Sequence, residues 1–499
     1  MMNTVSLFFR FVAILTIAIS VSACENFLDK QPLDTIVEDS FYNTAEDMDK
    51  AMLAAYVPLQ NQQWMAQGWR ILEIPSDNSQ AGGTDPDFTP IDDFSTSADN
   101  ISVADFWAIR YRAVALANVV IFRAPLASIT DDEVAVLVAE AKFIRALAYF
   151  DLVRTFGDVP LSLEAPSLEN DVLLPRSSVE DVYGLIEADL TEAAEELPTT
   201  RIGADLGRAS KGAALALHAK VALTRKNFRQ AQELSSSCMR LGVYQLMPDY
   251  GDNWDITTSD NNAEAVFQIQ HVGCGPFGTG NASQAFFAPF GQGITKGSDG
   301  WGSQIPTSPS VNNPGTTIQE AFEENDLRLF HSIMLPASSY PNINANDGGY
   351  DYPATGASRA TVNIKKYVVG GGPNTCFMST GQNMHVIRYA DVLLSFVEAA
   401  VELDGGVTVN ADALKAFNDV RSRAGLDPLS IVTREDLFQE RRVEFAFECH
   451  RWFDLLREGD VVTKMRLHGK SLDENNLLFP IPSAEIKINT NLTQNEGYF

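Results

Sequence analysis

The segment "VAEAKFIRALAYFDLVRTFGDVPL" (residues 138–161) decides the fold class. With Leu137 just ahead of it, Ala141, Ile144, Ala148 and Leu152 recur at the i, i+4, i+7 spacing of one helix face, and Phe143, Leu147 and Phe150 widen that stripe. Gly157 through Pro160 then stops the helix, since proline brings no amide donor and glycine leaves helical geometry readily. A long helix with so broad an apolar side needs other elements to cover it.

The flanking sequence supplies them as helices. "TAEDMDKAMLAAYVPL" (residues 44–59) opens on a capping signature, Thr44 followed by Asp47, and carries apolar residues at helical spacing. A second helix is expected over residues 103–122, and a partner for the central one over 179–196, behind Ser177 and Ser178. "GAALALHAKVALTRKNFRQAQELSSSCMRLGVY" (residues 212–244) reads as two helices joined at Lys226-Asn227. "DVLLSFVEAAVEL" and "ADALKAFNDVRSRAG" repeat that shape around Gly405-Gly406. Ala219, Ala222, Ala231, Ala399 and Ala416 let paired helices approach closely. Pairs of about 34 residues have the period of tetratricopeptide units, without their full consensus. The expected fold is mainly α, a tetratricopeptide-like scaffold of helical pairs.

Two stretches break the helical period. Residues 76–100, "SDNSQAGGTDPDFTPIDDFSTSADN", are polar and rich in Gly and Asp, and loops of this length in a compact chain are usually functional or disordered. From about residue 250 to 384 the chain turns to Gly, Asn, Pro, Ser and aromatics, with strand-like pieces at "AVFQIQHV" and "NIKKYVV". This is read as a large irregular insertion with a few short strands, where binding residues tend to concentrate. The expected divisions are a signal segment at 1–23, a tether at 24–42, helical repeats at 43–250, the insertion at 251–384 and a C-terminal helical part at 385–499.

Three constellations invite a chemical reading. "GCGPFG" (residues 273–278) satisfies GxGxxG, but the proline and the following "TGNASQ" deny it the helix that dinucleotide binding needs, so it is read as chance. Glu440, Glu444 and Glu448 lie four apart on one expected helix face; with Arg441, Arg442 and Arg451 within a turn, they are read as a structural ion-pair network. Loop aromatics and amides form the third group: Trp64, Trp69, Asp77, Asn78, Trp301 and Tyr340. Sugar C–H faces stack on flat rings and hydroxyls seek carboxylates or amides, so the group suits glycan recognition, although ordinary core packing accounts for any single tryptophan. Walker, GxSxG and HExxH patterns are absent, and no catalytic residue, metal ligand or cofactor is assigned. Cys238, Cys274, Cys376 and Cys449 lack CxxC spacing and are read as small core residues, with no disulfide framework expected.

Charge and the N-terminus restrict partners. The chain carries 37 basic and 65 acidic residues, net -28, and losing Arg10 with the signal makes it -29 (36 against 65). Such a field repels nucleic acid and anionic lipid, so neither is expected as a partner through surface charge. Residues 11–21 form an apolar run about half the roughly 20 residues of a membrane span, as in a secretory signal. The next stretch, "VSAC", resembles a bacterial lipobox, in which Cys24 receives a diacylglycerol and, once freed by cleavage, an N-acyl chain. Removing 23 of 499 residues leaves 476, with 45% hydrophobic content over the chain, ample for a core.

Five segments stand out: "CENFLDKQPLDTIVEDSFYNTAEDMDKAMLAAY", "AEAKFIRALAYFDLVRTFGDVPL", "VIRYADVLLSFVEAAVEL", "ERRVEFAFECHRWFDLLREGD" and "LFPIPSAEIKINTNLTQNEGYF". Together they resemble the SusD/RagB family of outer-membrane glycan-binding lipoproteins. Cys449 departs from the resemblance, which implies glycine there. The resemblance implies a non-enzymatic surface lipoprotein, anchored in the outer membrane through Cys24, that captures an oligosaccharide and closes as a lid over a SusC-like TonB-dependent transporter. Peptide binding in a similar uptake system and a glycoside hydrolase, its carboxylates hidden among the acidic residues, are the alternatives.

Overall fold

The computed structural model describes residues 41–498 except 65–67, 84, 166–172, 276–277, 296–298 and 309–316. The signal segment, Cys24 and all but two residues of the expected tether lie outside the described residues. Helices α1 (Ala45–Gln60), α2 (Ile101–Arg123), α3 (Asp131–Phe156), α4 (Val179–Glu196), α5 (Lys211–Thr224) and α6 (Phe228–Arg240) follow in order, and each packs on the next in space as well as in sequence. The chain then leaves the stack and re-enters it at α7 (Tyr389–Leu403), which packs on α6 and carries α8 (Ala411–Arg423) and α9 (Arg434–Glu444); α10 (Arg451–Glu458) follows.

Local chemistry sets the helix ends. Thr44 and Asp47 form the capping box expected of α1, Thr130 and Glu133 form another on α3, and α3 stops at Gly157, whose φ of 73° is the left-handed region glycine enters without strain. The expected single stripe on α3 is exceeded: from Ala139 to Phe156 nearly every side chain is buried, because α2 and α4 cover opposite flanks. Phe143, Ile144, Phe150 and Leu152 are at most 1% exposed. Each such side chain contributes about 1.5–3 kcal/mol by leaving water. Polar residues inside this layer are paired: Arg145 grips Asp189 on α4 through two contacts of 2.8 Å, and Arg110 on α2 reaches Asp151 at 3.0 Å.

The insertion is stitched by short ladders. Strand β2 (Ala265–Ile269) pairs antiparallel with β4 (Met384–Arg388), with a register irregularity near His385. The sequence pattern pointed to β2 but not to β4, whose alternation is masked by burial of both faces. "NIKKYVV" contributes only Asn363–Ile364, paired with Ile333–Met334. In the described part of the loop at 76–100, β1 (Ser79–Ala81) pairs with β3 (Gln304–Pro306) and ties that loop to the insertion.

The carboxylate column is an ion-pair network, but its geometry differs from expectation. Helix α9 ends at Glu444, and Phe447 and Cys449 turn the chain through positive φ (65° and 64°), so Glu448 is not on the helix. The partners come from elsewhere in the fold: Arg328 (3.1 Å), Arg388 (2.9 Å) and Arg423 (2.6 Å) reach Glu444, while Lys366 (2.7 Å) and Arg388 (2.8 Å) reach Glu448. Arg441 turns instead to Asp454 at 2.9 Å. One cysteine reading is also corrected. Cys274 and Cys376 form a disulfide across 102 residues; Cys238 is buried and Cys449 partly buried, both as free thiols. Spacing along the chain carried no sign of a bridge that only the fold of the insertion brings together.

Candidate functional site

Five of the six sequence-picked residues are interior. Trp64 is 1% exposed, with the Arg110 guanidinium 4.3 Å above its ring. Trp69 is equally buried and donates its indole N–H to the Phe447 carbonyl at 3.1 Å. The Tyr340 hydroxyl donates to the Ile333 carbonyl (3.1 Å) and accepts from the Leu335 amide (2.7 Å), and its ring stacks on Phe330. Asp77 and Asn78 are also buried, Asp77 against Arg451 and Asn78 accepting from Arg442 Nε at 2.9 Å. The expectation that these five face outward is therefore corrected: aromatics and amides in irregular segments have filled the core that those segments share with the helices.

Trp301 differs, being half-buried. Its amide donates to the Ala285 carbonyl at 2.7 Å, and the next two residues continue the contact, Gly302 donating to Ala288 (2.9 Å) and Ser303 to Phe286 (2.9 Å), so the backbone is pinned against the short helix Ser283–Phe287. Two rings hold the indole edge-on, Phe286 at 5.0 Å from the core side and Phe377 at 5.1 Å. Such edge-to-face pairs contribute about 0.5–1.5 kcal/mol beyond burial. Arg359 donates to the Trp301 carbonyl at 2.8 Å and lies 4.1 Å over the ring of Phe290, which is 38% exposed.

Polar groups border this surface. Asp299 accepts from the amides of Gly291, Gln292 (3.1 Å) and Gly293 (2.9 Å), fixing the turn after Phe290. Tyr350 donates to Gln292 at 3.5 Å, and burial, with neighbouring Tyr352 and Asp299, pushes its phenol well above the usual range, so it stays protonated as a donor. The result is a platform of three accessible rings, Phe290, Trp301 and Phe377, bordered by a guanidinium, a phenol, an amide and a carboxylate. It can stack against a flat apolar face and hydrogen-bond the rim of that face. A cleft of about 780 Å³ lies elsewhere, between α6, α7 and α8, and two of its cations are paired within the protein, Lys415 with Asp419 (2.6 Å) and Arg423 with Glu264 (2.9 Å).

The sequence profile of the SusD family matches residues 247–498, half of the chain. The chain belongs to the SusD family. A second profile, described as "Starch-binding associating with outer membrane", matches residues 26–223 of this SusD-family chain. A SusD-like protein of Bacteroides ovatus is 29% identical over 469 residues, covering 90% of this chain and 82% of its own length. Surface glycan-binding protein A of Bacteroides fluxus superposes with a TM-score of 0.76 at 26% identity, over 91% of this chain and all of that one. A laminarin-binding SusD-like protein superposes with a TM-score of 0.75 at 25% identity and the same coverage. Among the described residues, no helix of this SusD-family protein is long and apolar enough to cross a membrane.

The platform residues other than Trp301 escaped the sequence reading. Phe290, Arg359 and Phe377 are 11 to 76 positions from Trp301 and share no period with it. The available signal was local: Trp301 sits between glycines in "GSDGWGS", a segment too short of apolar residues to be core throughout.

Proposed function

We propose that this protein captures an oligosaccharide on the Trp301 platform at the cell surface and passes it to a SusC-like TonB-dependent transporter in the outer membrane. The observation that carries this reading is the half-exposed indole, held edge-on by Phe286 and Phe377 and bordered by Arg359. Sugar rings offer C–H faces to such a surface and hydroxyls to its polar rim. The names of two superposable relatives, one a surface glycan-binding protein and one laminarin-binding, support a glycan as ligand. Of the six residues first selected, Trp301 is the one retained as a contact.

Lipid chains on Cys24 would hold the protein at the outer membrane, with residues 24–42 as tether. More than one chain is needed, since a single acyl chain gives only marginal anchoring. The disulfide supports an exported location, because such bonds persist outside the reducing cytosol. Calorimetric titration of the purified protein with laminarin, xyloglucan and other plant, host and microbial oligosaccharides tests the ligand class. Saturable binding to one class, weakened by Trp301→Ala, is expected; a folded protein silent across the panel would reject the glycan reading. Retention of a Cys24→Ala form in the outer-membrane fraction would reject the anchor.

A further inference from the structure

The disulfide and the platform meet at one hairpin. Thr375–Cys376 pairs with Ser379–Thr380, and the two residues between them, Phe377 and Met378, form the tip. The Phe377 ring packs perpendicular to the Trp301 indole at 5.1 Å. The base of the hairpin is fixed to the segment after β2, where Cys274 donates to the Ser379 carbonyl (2.9 Å) and Asn281 exchanges amide bonds with Thr380 (2.9 and 3.0 Å). There the disulfide joins Cys274 to Cys376. The approach is close: a Cβ on Gly273 would lie 1.9 Å from the Asn374 carbonyl oxygen, so only glycine fits at that position. The first glycine of the dinucleotide-like pattern thus has a packing role.

A two-residue ladder is marginal in water without outside support. Here the covalent link lies next to the tip: Cys376 precedes Phe377 directly. We propose that the Cys274–Cys376 disulfide is a positioning element for the platform, presetting Phe377 so that it holds the Trp301 indole at a fixed height and tilt. The link acts through Phe377 on Trp301 and touches no ligand itself. Its consequence for glycan binding rests on the function proposed above, but its effect on Trp301 can be read without any ligand.

The other five tryptophans, Trp64, Trp69, Trp107, Trp254 and Trp452, are at most 4% exposed. Acrylamide quenching of the full-length protein in detergent therefore reports on Trp301, with Trp301→Phe as the reference that removes the accessible signal. Two treatments break the link. One is the paired substitution Cys274→Ser with Cys376→Ser. The other is reduction with dithiothreitol, in which the disulfide takes up two electrons and two protons to give two thiols while the reagent closes to its cyclic disulfide. Each is expected to raise the quenching constant of the accessible class about twofold, because the hairpin opens locally while the scaffold stays folded. The substituted protein should not respond further to dithiothreitol. Titration with laminarin oligosaccharides alongside is expected to show about three- to tenfold weaker binding after either treatment, the loss due to a platform no longer preorganised. Quenching unchanged by both treatments overturns the proposal, whatever binding does. Increased quenching in a protein that binds no oligosaccharide even when oxidised supports the positioning role and rejects the glycan reading instead. If the substituted protein does not fold, the reduced native protein decides.

Discussion

Arg451 and Asp77, 374 residues apart, close a two-point ion pair, Nε to Oδ1 at 2.6 Å and Nη2 to Oδ2 at 2.8 Å. The pair fastens the start of the Asp-rich loop to α10. Burial alone would push the Asp77 carboxyl up, but the guanidinium groups of Arg442 and Arg451 outweigh it and hold the carboxyl well below its usual range. Stability from a group depressed in this way is present above its unfolded pKa and lost as pH falls through the folded one. Asp77→Ala leaves two buried guanidinium groups without this partner and should cost about 3–5 kcal/mol in denaturant unfolding. A loss below about 1 kcal/mol would show that water or Asn78 replaces it.

Glu73 has the opposite sign. It is fully buried, one oxygen accepts from the Cys449 amide at 2.9 Å, and burial pushes the carboxyl up to about 8 from an ordinary 4.5. A raised carboxyl contributes most below its unfolded pKa and loses that contribution as pH rises through the folded value. Glu73→Gln should therefore gain on the native protein as pH increases, by on the order of 3 kcal/mol between about pH 5 and about pH 9. Thermal melts that shift equally at both ends of that range would contradict the assignment.

Cys449 stands at φ 64°. A side chain in the left-handed region costs roughly 1–2 kcal/mol that glycine avoids, which gives a physical reason for the glycine that the family resemblance implies there. Cys449→Gly should raise the unfolding midpoint, by up to about 1 kcal/mol once the lost thiol packing is subtracted. A clear destabilisation would mean that the sulfur's contacts outweigh the backbone strain.

Two tryptophans should respond in different ways. Trp64→Ala removes a core side chain and is expected to lose about 3–5 kcal/mol of stability. Trp301→Ala removes two edge-to-face contacts and should cost less, about 1–3 kcal/mol, while weakening oligosaccharide binding by about tenfold, the scale of one aromatic stack. Matching stability losses in both variants would place Trp301 in the core with Trp64.

The helices were legible because their evidence is periodic and local. Capping residues such as Thr44 and Ser178 and stops such as Gly157 act within one turn, and the helix at Val179–Glu196 has the bounds its pattern implied. Relationships set by the tertiary fold were hidden. The charges of α9 predicted a network, but Arg328, Arg388 and Arg423 complete it from three other segments. Tryptophan content drew attention to Trp64 and Trp69, yet exposure depends on what packs above a residue, and sequence position alone does not record it. Cys274 met Cys376 for the same reason, through a fold that brings distant loops side by side.

The ladder between Ala265–Ile269 and Met384–Arg388 brings both ends of the insertion to one spot on the helical stack. What lies between is a loop closed at its base, yet it shares one interior with the helices: Arg328 and Lys366, both inside it, neutralise the buried Glu444 and Glu448. A replacement of this stretch keeps the helical body intact only where it returns a cation to each of those carboxylates.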